Sequence, residues 1–152
     1  MDNLNFDIKE LLGTIQEYST RPLVIRQIPI REGDKIIGAA DVIHERAYTY
    51  EKEKPSQTVK IPENLSSTRN EIREKVLETL ADFDDGLMEK ILEDVPTSTE
   101  EIYEHLKKDI ASNKIVEVLT GSAENETGIR RLLKSIRHDC PFHEKTIQRN
   151  GL

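Results

Sequence analysis

The sequence predicts an α/β fold, and two strand–helix patterns carry this prediction. A helical pattern over residues 6–18 is followed by a strand pattern over 23–30. Near the other end, the β-branched run 115–119 leads into the small-residue loop Gly121-Ser122-Ala123, and an amphipathic helical pattern covers 128–137. Ligands of α/β proteins bind where strands end, which makes this loop a candidate ligand contact. Small residues also follow strands that bind nothing, so both interpretations stay open.

The residues between these two patterns predict a self-contained α+β unit. Pro29 should end the strand over 23–30 or place it at a sheet edge. Residues 31–34 predict a turn, 35–50 a hairpin, and 58–61 a short strand.

Three helices are predicted to follow these strands. Ser66 or Ser67 should cap the first, a break is expected at 82–86, and Ser98 with Glu101 has capping-box spacing for the third. The predicted order is therefore helix, strands, helices, strand, helix.

Composition limits the classes of function. The 152 residues carry a net charge of −7 and a single cysteine, Cys140. The negative charge argues against a protein whose main task is binding DNA or RNA, although a small basic patch is compatible with it. No apolar run reaches the roughly 20 residues that cross a bilayer, and no signal peptide opens the chain. We therefore expect a cytoplasmic protein without a membrane association. Separately, we expect a monomer.

No reactive constellation predicts an enzyme. The phosphate loop GxxxxGK[ST] is absent from these 152 residues, and His138, Cys140 and His143 do not form a recognisable metal site. His44-Glu45-Arg46 lies in a strand pattern and is expected on a solvent-facing surface. No catalytic residue and no metal ligand is therefore predicted.

Acidic side chains accumulate around the predicted helix break. The cluster fits no calcium-loop spacing and consists of Asp82, Asp84, Asp85, Glu89, Glu93 and Asp94. A solvated helix face and a docking surface for a basic protein are the two interpretations.

Several weak signposts, in this order and spacing, give a specific resemblance. They are the segments 22–30, 37–42, 84–93 and 118–123. In these segments the chain resembles the translational GTPases of the elongation factor G type. The resemblance implies an α+β insertion subdomain attached to the C-terminal strand–loop–helix part of a P-loop GTPase-type domain.

The resemblance also implies a division of the chain. Residues 1–32 would be the end of the GTP-binding domain, with a helix and the first strand, and residues 33–113 would be the insertion subdomain. Residues 114–141 would be the last strand, Ser-Ala loop and helix of the GTP-binding domain, and residues 142–152 would be a tail. We expect the chain to be an excised piece of a larger protein. GTP or GDP and magnesium would bind that parent, and this chain alone should hold no cofactor and hydrolyse no GTP.

The resemblance assigns residues to the guanine site. Ser122 and Ala123 look like the family's Ser-Ala loop, in which the Ala123 N–H would reach the guanine carbonyl oxygen. Met1-Asp2 is similar to the end of the Asn-Lys-x-Asp motif, and Asp2 would accept hydrogen bonds from the guanine N–H and amino groups. An ordinary chain start at Met1 explains the same two residues. Glu124 and Asn3 depart from the residues common in the family, so a divergent paralogue fits as well as the main translocase.

The resemblance further implies a ribosomal partner. In such factors the insertion contacts the stalk protein of the large ribosomal subunit through an acidic helical face. The candidates here are Glu71, Glu74, Glu78, Asp82, Glu89 and Glu93. The alternative is a stand-alone acidic interaction module that docks a ribosomal or other basic partner and binds no nucleotide.

Overall fold

A computed structural model describes residues 8–33, 35–51 and 54–141. The strands are β1 (Leu23–Ile25), β2 (Gln27–Glu32), β3 (Lys35–Asp41), β4 (Ala47–Thr49), β5 (Gln57–Val59) and β6 (Val116–Val118). The helices are α1 (Ile8–Gln16), α2 (Glu63–Ala81), α3 (Asp85–Leu92), α4 (Thr99–Ala111) and α5 (Ile129–His138). The predicted order of helices and strands is confirmed.

The described strands form two sheets. β1 and β6 pair in parallel, with Leu23 opposite Val116, although more than ninety residues separate them in sequence. β2, β3, β4 and β5 form an antiparallel sheet in that order. A parallel pair needs a long crossover connection, and here the antiparallel sheet and three helices make up that connection. The α/β class with an α+β insertion is confirmed.

Pro29 lies within β2 and faces Ala39 of β3. β2 is an edge strand of the antiparallel sheet, the position in which a missing N–H costs no ladder hydrogen bond. The edge prediction is therefore confirmed. β3 in turn requires Gly38, because a Cβ there would lie 2.1 Å from the Tyr48 carbonyl oxygen of β4.

One core joins helices α1 to α4 to strand β1 and to Ile115, the residue before β6. Apolar stripes of α2 and α4 meet β1 and the segment after β3, which buries these side chains away from water. The fully buried members include Val24, Val42, Ile43, Leu80, Leu87, Ile102 and Leu106. None of the described helices is long and apolar enough to cross a membrane.

The starts of α4 and α2 confirm one capping prediction and contradict the other. α4 begins as predicted, because the Ser98 hydroxyl accepts a hydrogen bond from the Glu101 N–H at 3.2 Å. The prediction for α2 is wrong, since the helix begins at Glu63 after Pro62 and contains both Ser66 and Ser67 in its second turn. Proline suits the start of a helix, where the missing N–H would have no partner.

Candidate functional site

The polypeptide passes from one sheet to the other at Arg26. Its N–H donates to the Val118 carbonyl of β6 at 3.0 Å, and its carbonyl accepts from the Val42 N–H, also at 3.0 Å. β1 and β2 are therefore one extended segment that pairs first with the parallel strand and then with the antiparallel one. This residue joins the insertion to the strand that carries the Gly121–Gly128 loop.

The Arg26 side chain lies in a buried polar cluster at this junction. Its Nε is 3.3 Å from Asp41 Oδ2 and its Nη1 is 3.7 Å from Glu117 Oε1. Asp41 Oδ1 accepts from the N–H groups of Ile43 and His44 at 2.9 and 2.8 Å. Burial alone would raise the pKa of Asp41, but the His44 hydrogen bonds and the Arg26 charge together lower it to about 2. Asp41 is therefore ionised at neutral pH.

Two further carboxyl groups tie α4 and α5 to this cluster. Ser135 of α5 donates to Glu117 at 2.6 Å, and the Tyr103 hydroxyl of α4 donates to Asp139. Burial raises the pKa of Glu117, against the opposing effects of Ser135 and Arg26. Burial and the Asp139 hydrogen bond raise the pKa of Tyr103 to about 12. Polar contacts therefore hold together α4, β6 and α5.

The candidate loop after β6 is closed at its base. Ser122 and Thr127 exchange two backbone hydrogen bonds of 3.0 Å each. The Ser122 hydroxyl also accepts from the Asn125 N–H at 3.0 Å. On the strand side, the Thr120 N–H donates to the buried side chain of Gln27 at 3.3 Å. These bonds fix the loop backbone relative to β2 and β6.

Two glycines allow the backbone segments of the loop to approach each other. A Cβ at Gly121 would lie 2.9 Å from the Thr127 carbonyl oxygen. Gly128, the residue before α5, has φ of +78°, and a Cβ there would lie 2.6 Å from the Thr120 carbonyl oxygen. The loop conformation therefore requires glycine at Gly128 for two separate reasons.

Ser122 and Ala123 differ in their exposure and in the hydrogen bonding of their N–H groups. Ser122 is buried and its N–H is occupied within the loop, whereas Ala123 is exposed. Within the described residues the Ala123 N–H donates no hydrogen bond, so a main-chain donor remains available at the surface. Asp2, the other residue predicted for this site, lies outside the described residues.

The six predicted partner-binding carboxylates are all exposed. Glu71, Glu74 and Glu78 of α2 and its C-terminal Asp82 lie within about 80° of one another around the helix axis, given 3.6 residues per turn. Glu89 and Glu93 are one turn apart at the end of α3. Lys9 of α1 pairs with Glu71. Within the described residues no ion pair engages the other five, which therefore leave their charge facing solvent.

The buried cluster is not among the sites predicted from the sequence, and one segment lies elsewhere than predicted. His44-Glu45-Arg46 is not in a strand but in the connection between β3 and β4, and His44 Nδ1 is 2.9 Å from Arg26 Nη2. The available signal was a charged residue inside each apolar strand pattern, Arg26 and Glu117. Charged side chains are rarely buried unless an opposite charge pairs with them, so a charge inside a buried strand predicts a partner.

The fold and the loop define an α/β protein in which an insertion separates two paired parallel strands. No family model matches the sequence. All 152 residues match an elongation factor G-like protein from Synechocystis sp. (strain PCC 6803), with 34% identity over 23% of that protein's length. A solved protein from Thermus thermophilus shares the fold over 91% of this chain and 21% of its own, with a TM-score of 0.77 and 27% identity. Over its whole length the chain is therefore related to elongation factor G-like proteins, as the resemblance predicts, and it spans about a quarter of the length of these relatives.

Proposed function

We propose that this chain is the part of an elongation factor G-like translational GTPase that supplies the last guanine-contacting loop and an acidic partner-binding insertion. The carrying observation is the relationship over the full 152 residues, together with the exposed residue Ala123, whose N–H donates no hydrogen bond among the described residues. The proposal places the protein in the cytoplasm, acting on the ribosome during translocation.

The chemistry of guanine fits the loop. The guanine ring presents a carbonyl oxygen, and a fixed main-chain N–H is a suitable donor for it. The hydrogen bonds between Ser122 and Thr127 hold the loop, so the Ala123 N–H needs little reorganisation to donate to a ligand. Asp2 would receive the ring N–H and amino group, which adenine lacks in this arrangement.

GTP and magnesium are cofactors of the longer protein in this proposal. The phosphates and the metal would bind to residues outside this chain, since its sequence has no phosphate loop. Transfer of the γ-phosphoryl group to water depends on those contacts, so the isolated chain should neither hydrolyse GTP nor bind GDP measurably. Its own residues contribute discrimination among bases.

The reading frame around this segment tests the nucleotide part of the proposal. We expect the codons before Met1 to encode Asn-Lys, with a GxxxxGK[ST] loop further upstream. A stop codon and a ribosome-binding site at that place would contradict this part. They would favour the stand-alone acidic interaction module instead.

The exposed acidic residues of α2 and α3 support the proposal of a basic protein partner. Five of the six predicted carboxylates have no cation paired with them among the described residues, so their field extends into solvent. Such a surface steers a basic partner and gives weak, salt-sensitive binding. We propose that it docks the stalk protein of the large ribosomal subunit.

A matched pair of charge-reversal variants tests this docking. The test variant changes Glu78, Glu89 and Glu93 to Lys, and the control changes the exposed Glu17, Glu32 and Glu124 to Lys. Both alter the net charge equally. We expect the purified stalk protein to bind the control like the parent chain and to lose binding to the test variant, measured by calorimetry at low salt. Equal binding of the two variants would exclude the α2–α3 surface.

A further inference from the structure

α5 attaches to the rest of the chain through polar contacts. The Arg131 guanidinium stacks on the Tyr48 ring of β4 at 3.1 Å, and Ser135 donates to Glu117 of β6 at 2.6 Å. No residue of this helix is fully buried, and its apolar side chains, Ile129, Leu132, Leu133 and Ile136, are 37% to 59% exposed. The helix therefore has one side against the protein, and the rest of its surface is exposed.

The cations of α5 form a basic surface with a neighbour from the insertion. The α5 basic surface consists of Arg46, Arg130, Arg131, Lys134 and Arg137. Arg131 and Lys134 line two adjoining hollows of about 210 and 160 Å³, the first shared with Arg46 and the second with Arg130. The helix itself contains no acidic residue. Positive charge is thus concentrated at one place in a chain whose net charge is −7.

These cations are available to a ligand. Within the described residues no ion pair engages any member of the α5 basic surface. The carboxylates in the larger hollow have other partners: Asp41 binds Arg26, Glu117 binds Ser135, and Asp139 binds Tyr103. Glu51 and Glu126 line a third hollow with Arg130, so the charge of that arginine is the most screened. Lys134, Arg137 and Arg46 are exposed and carry the field.

We propose that the α5 basic surface binds the phosphate backbone of duplex RNA. Arg130, Lys134 and Arg137 follow one another along the helix at intervals of about one 5.4 Å turn, a spacing suited to a row of phosphates. The tyrosines around the hollows, Tyr48 and Tyr103, are buried or half-buried, so they offer no platform on which single-stranded bases could stack. Duplex RNA is recognised mainly through its shape, phosphates and 2′-hydroxyls, which suits this surface.

The surroundings of the α5 cations favour RNA over a membrane. A membrane-bound basic helix inserts its apolar stripe, so the stripe and the cations act together. A phosphate in either hollow would lie between α5 and the insertion, with Arg46 and Tyr48 lining the first hollow and Pro55 and Ser56 the second. Phosphate binding needs only those cations. The choice of RNA among polyanions rests on the proposed ribosomal function.

Fluorescence anisotropy with a labelled RNA duplex of about 16 base pairs tests the proposal. The test variant is Lys134→Gln/Arg137→Gln, and the control is Lys35→Gln/Lys75→Gln, which removes the same charge at exposed positions elsewhere. We expect the test variant to bind at least about fivefold more weakly than the control at about 50 mM salt, with the slope of log K against log salt about 2 units smaller. Circular dichroism establishes that both variants are folded.

Three results would overturn the proposal. They are no RNA binding by the parent chain, equal binding by both variants, and binding to phosphatidylserine vesicles in preference to RNA. The stalk-binding test variant separates this proposal from the proposed function, because it should keep or improve RNA binding. A parent chain that binds RNA but not the stalk protein would contradict only the proposed acidic docking surface.

Discussion

The guanidinium of Arg26 and the carboxylate of Asp41 form a buried ion pair at the point where the chain changes sheets. Nε and Oδ2 are 3.3 Å apart, and the two side chains are 7% and 10% exposed. The pair links the start of β2 to the end of β3, while Glu117 extends it to β6. The position of the insertion relative to the β6 loop therefore depends on charges that water does not screen.

Replacement of Asp41 by Asn should destabilise the chain strongly. The amide leaves Arg26 buried without its main counter-charge, and breaking a buried pair costs about 3 kcal/mol or more in the free energy of unfolding. The surface pair of Glu51 and Lys54 is the control, since these side chains are 56% and 65% exposed. Glu51→Gln should cost less than about 1 kcal/mol. Urea unfolding at pH 7 measures both, and equal losses would contradict the structural role of the pair.

The ion pair of Arg26 and Asp41 predicts that the fold loses stability as the pH falls. The pKa of Asp41 falls from its ordinary 3.8 to about 2 in the folded chain, so its ionised form stabilises the fold. This contribution, roughly 2 kcal/mol, is complete above the unfolded pKa and is lost as the pH falls from 3.8 towards 2. The stability difference between the parent chain and Asp41→Asn should shrink over that range. A difference independent of pH there would contradict the lowered pKa.

Gly128→Ala should distort the loop that follows β6. A Cβ would meet the Thr120 carbonyl oxygen at 2.6 Å, and φ of +78° is strained for alanine. We expect a loss of at least about 2 kcal/mol in the free energy of unfolding. Gly13→Ala in α1 is the matched control, because a Cβ there has nothing within 4 Å. It should stabilise by up to about 1 kcal/mol through helix propensity. Thermal unfolding compares the two, and a neutral Gly128→Ala would refute the loop geometry.

Serines near the starts of α4 and α2 give another matched pair of variants. Ser98→Ala removes the hydroxyl that accepts from the Glu101 N–H and should cost about 1 kcal/mol. Ser66→Ala changes a residue in the second turn of α2 and should be neutral or stabilising by about 0.5 kcal/mol. Chemical denaturation of both variants measures the difference. Equal destabilisation by both would mean that Ser66 caps α2, which is one of the two caps that the sequence pattern predicts.

The helices and strands could be predicted because their signals are local. Pro29 indicates an edge strand, and Ser98 with Glu101 a helix start, from features within a few residues. The start of α2 could not be fixed in this way, because Pro62 and the serines after it offer competing signals.

The buried cluster could not be predicted, since it depends on long-range pairing. Arg26 meets Glu117 only after β1 has paired with a strand more than ninety residues later. A charged residue in an apolar run indicates that a partner exists, but the sequence does not say which. For the guanine loop, the small residues of Gly121-Ser122-Ala123 and the resemblance led to Ala123, whereas Asp2 lies outside the described residues and stays a prediction.

The affinity of the whole reading-frame product for altered guanine nucleotides tests the central claim most directly. GDP is compared with the diphosphate of 2-aminopurine riboside, which lacks both the carbonyl oxygen that the Ala123 N–H should bind and the ring N–H that should donate to Asp2. We predict binding about tenfold weaker or more for the analogue, because a donor in the site loses its acceptor. ADP should bind more weakly still. Equal affinity for GDP and the analogue, or no binding of GDP at all, would contradict the assignment of this chain to a guanine site.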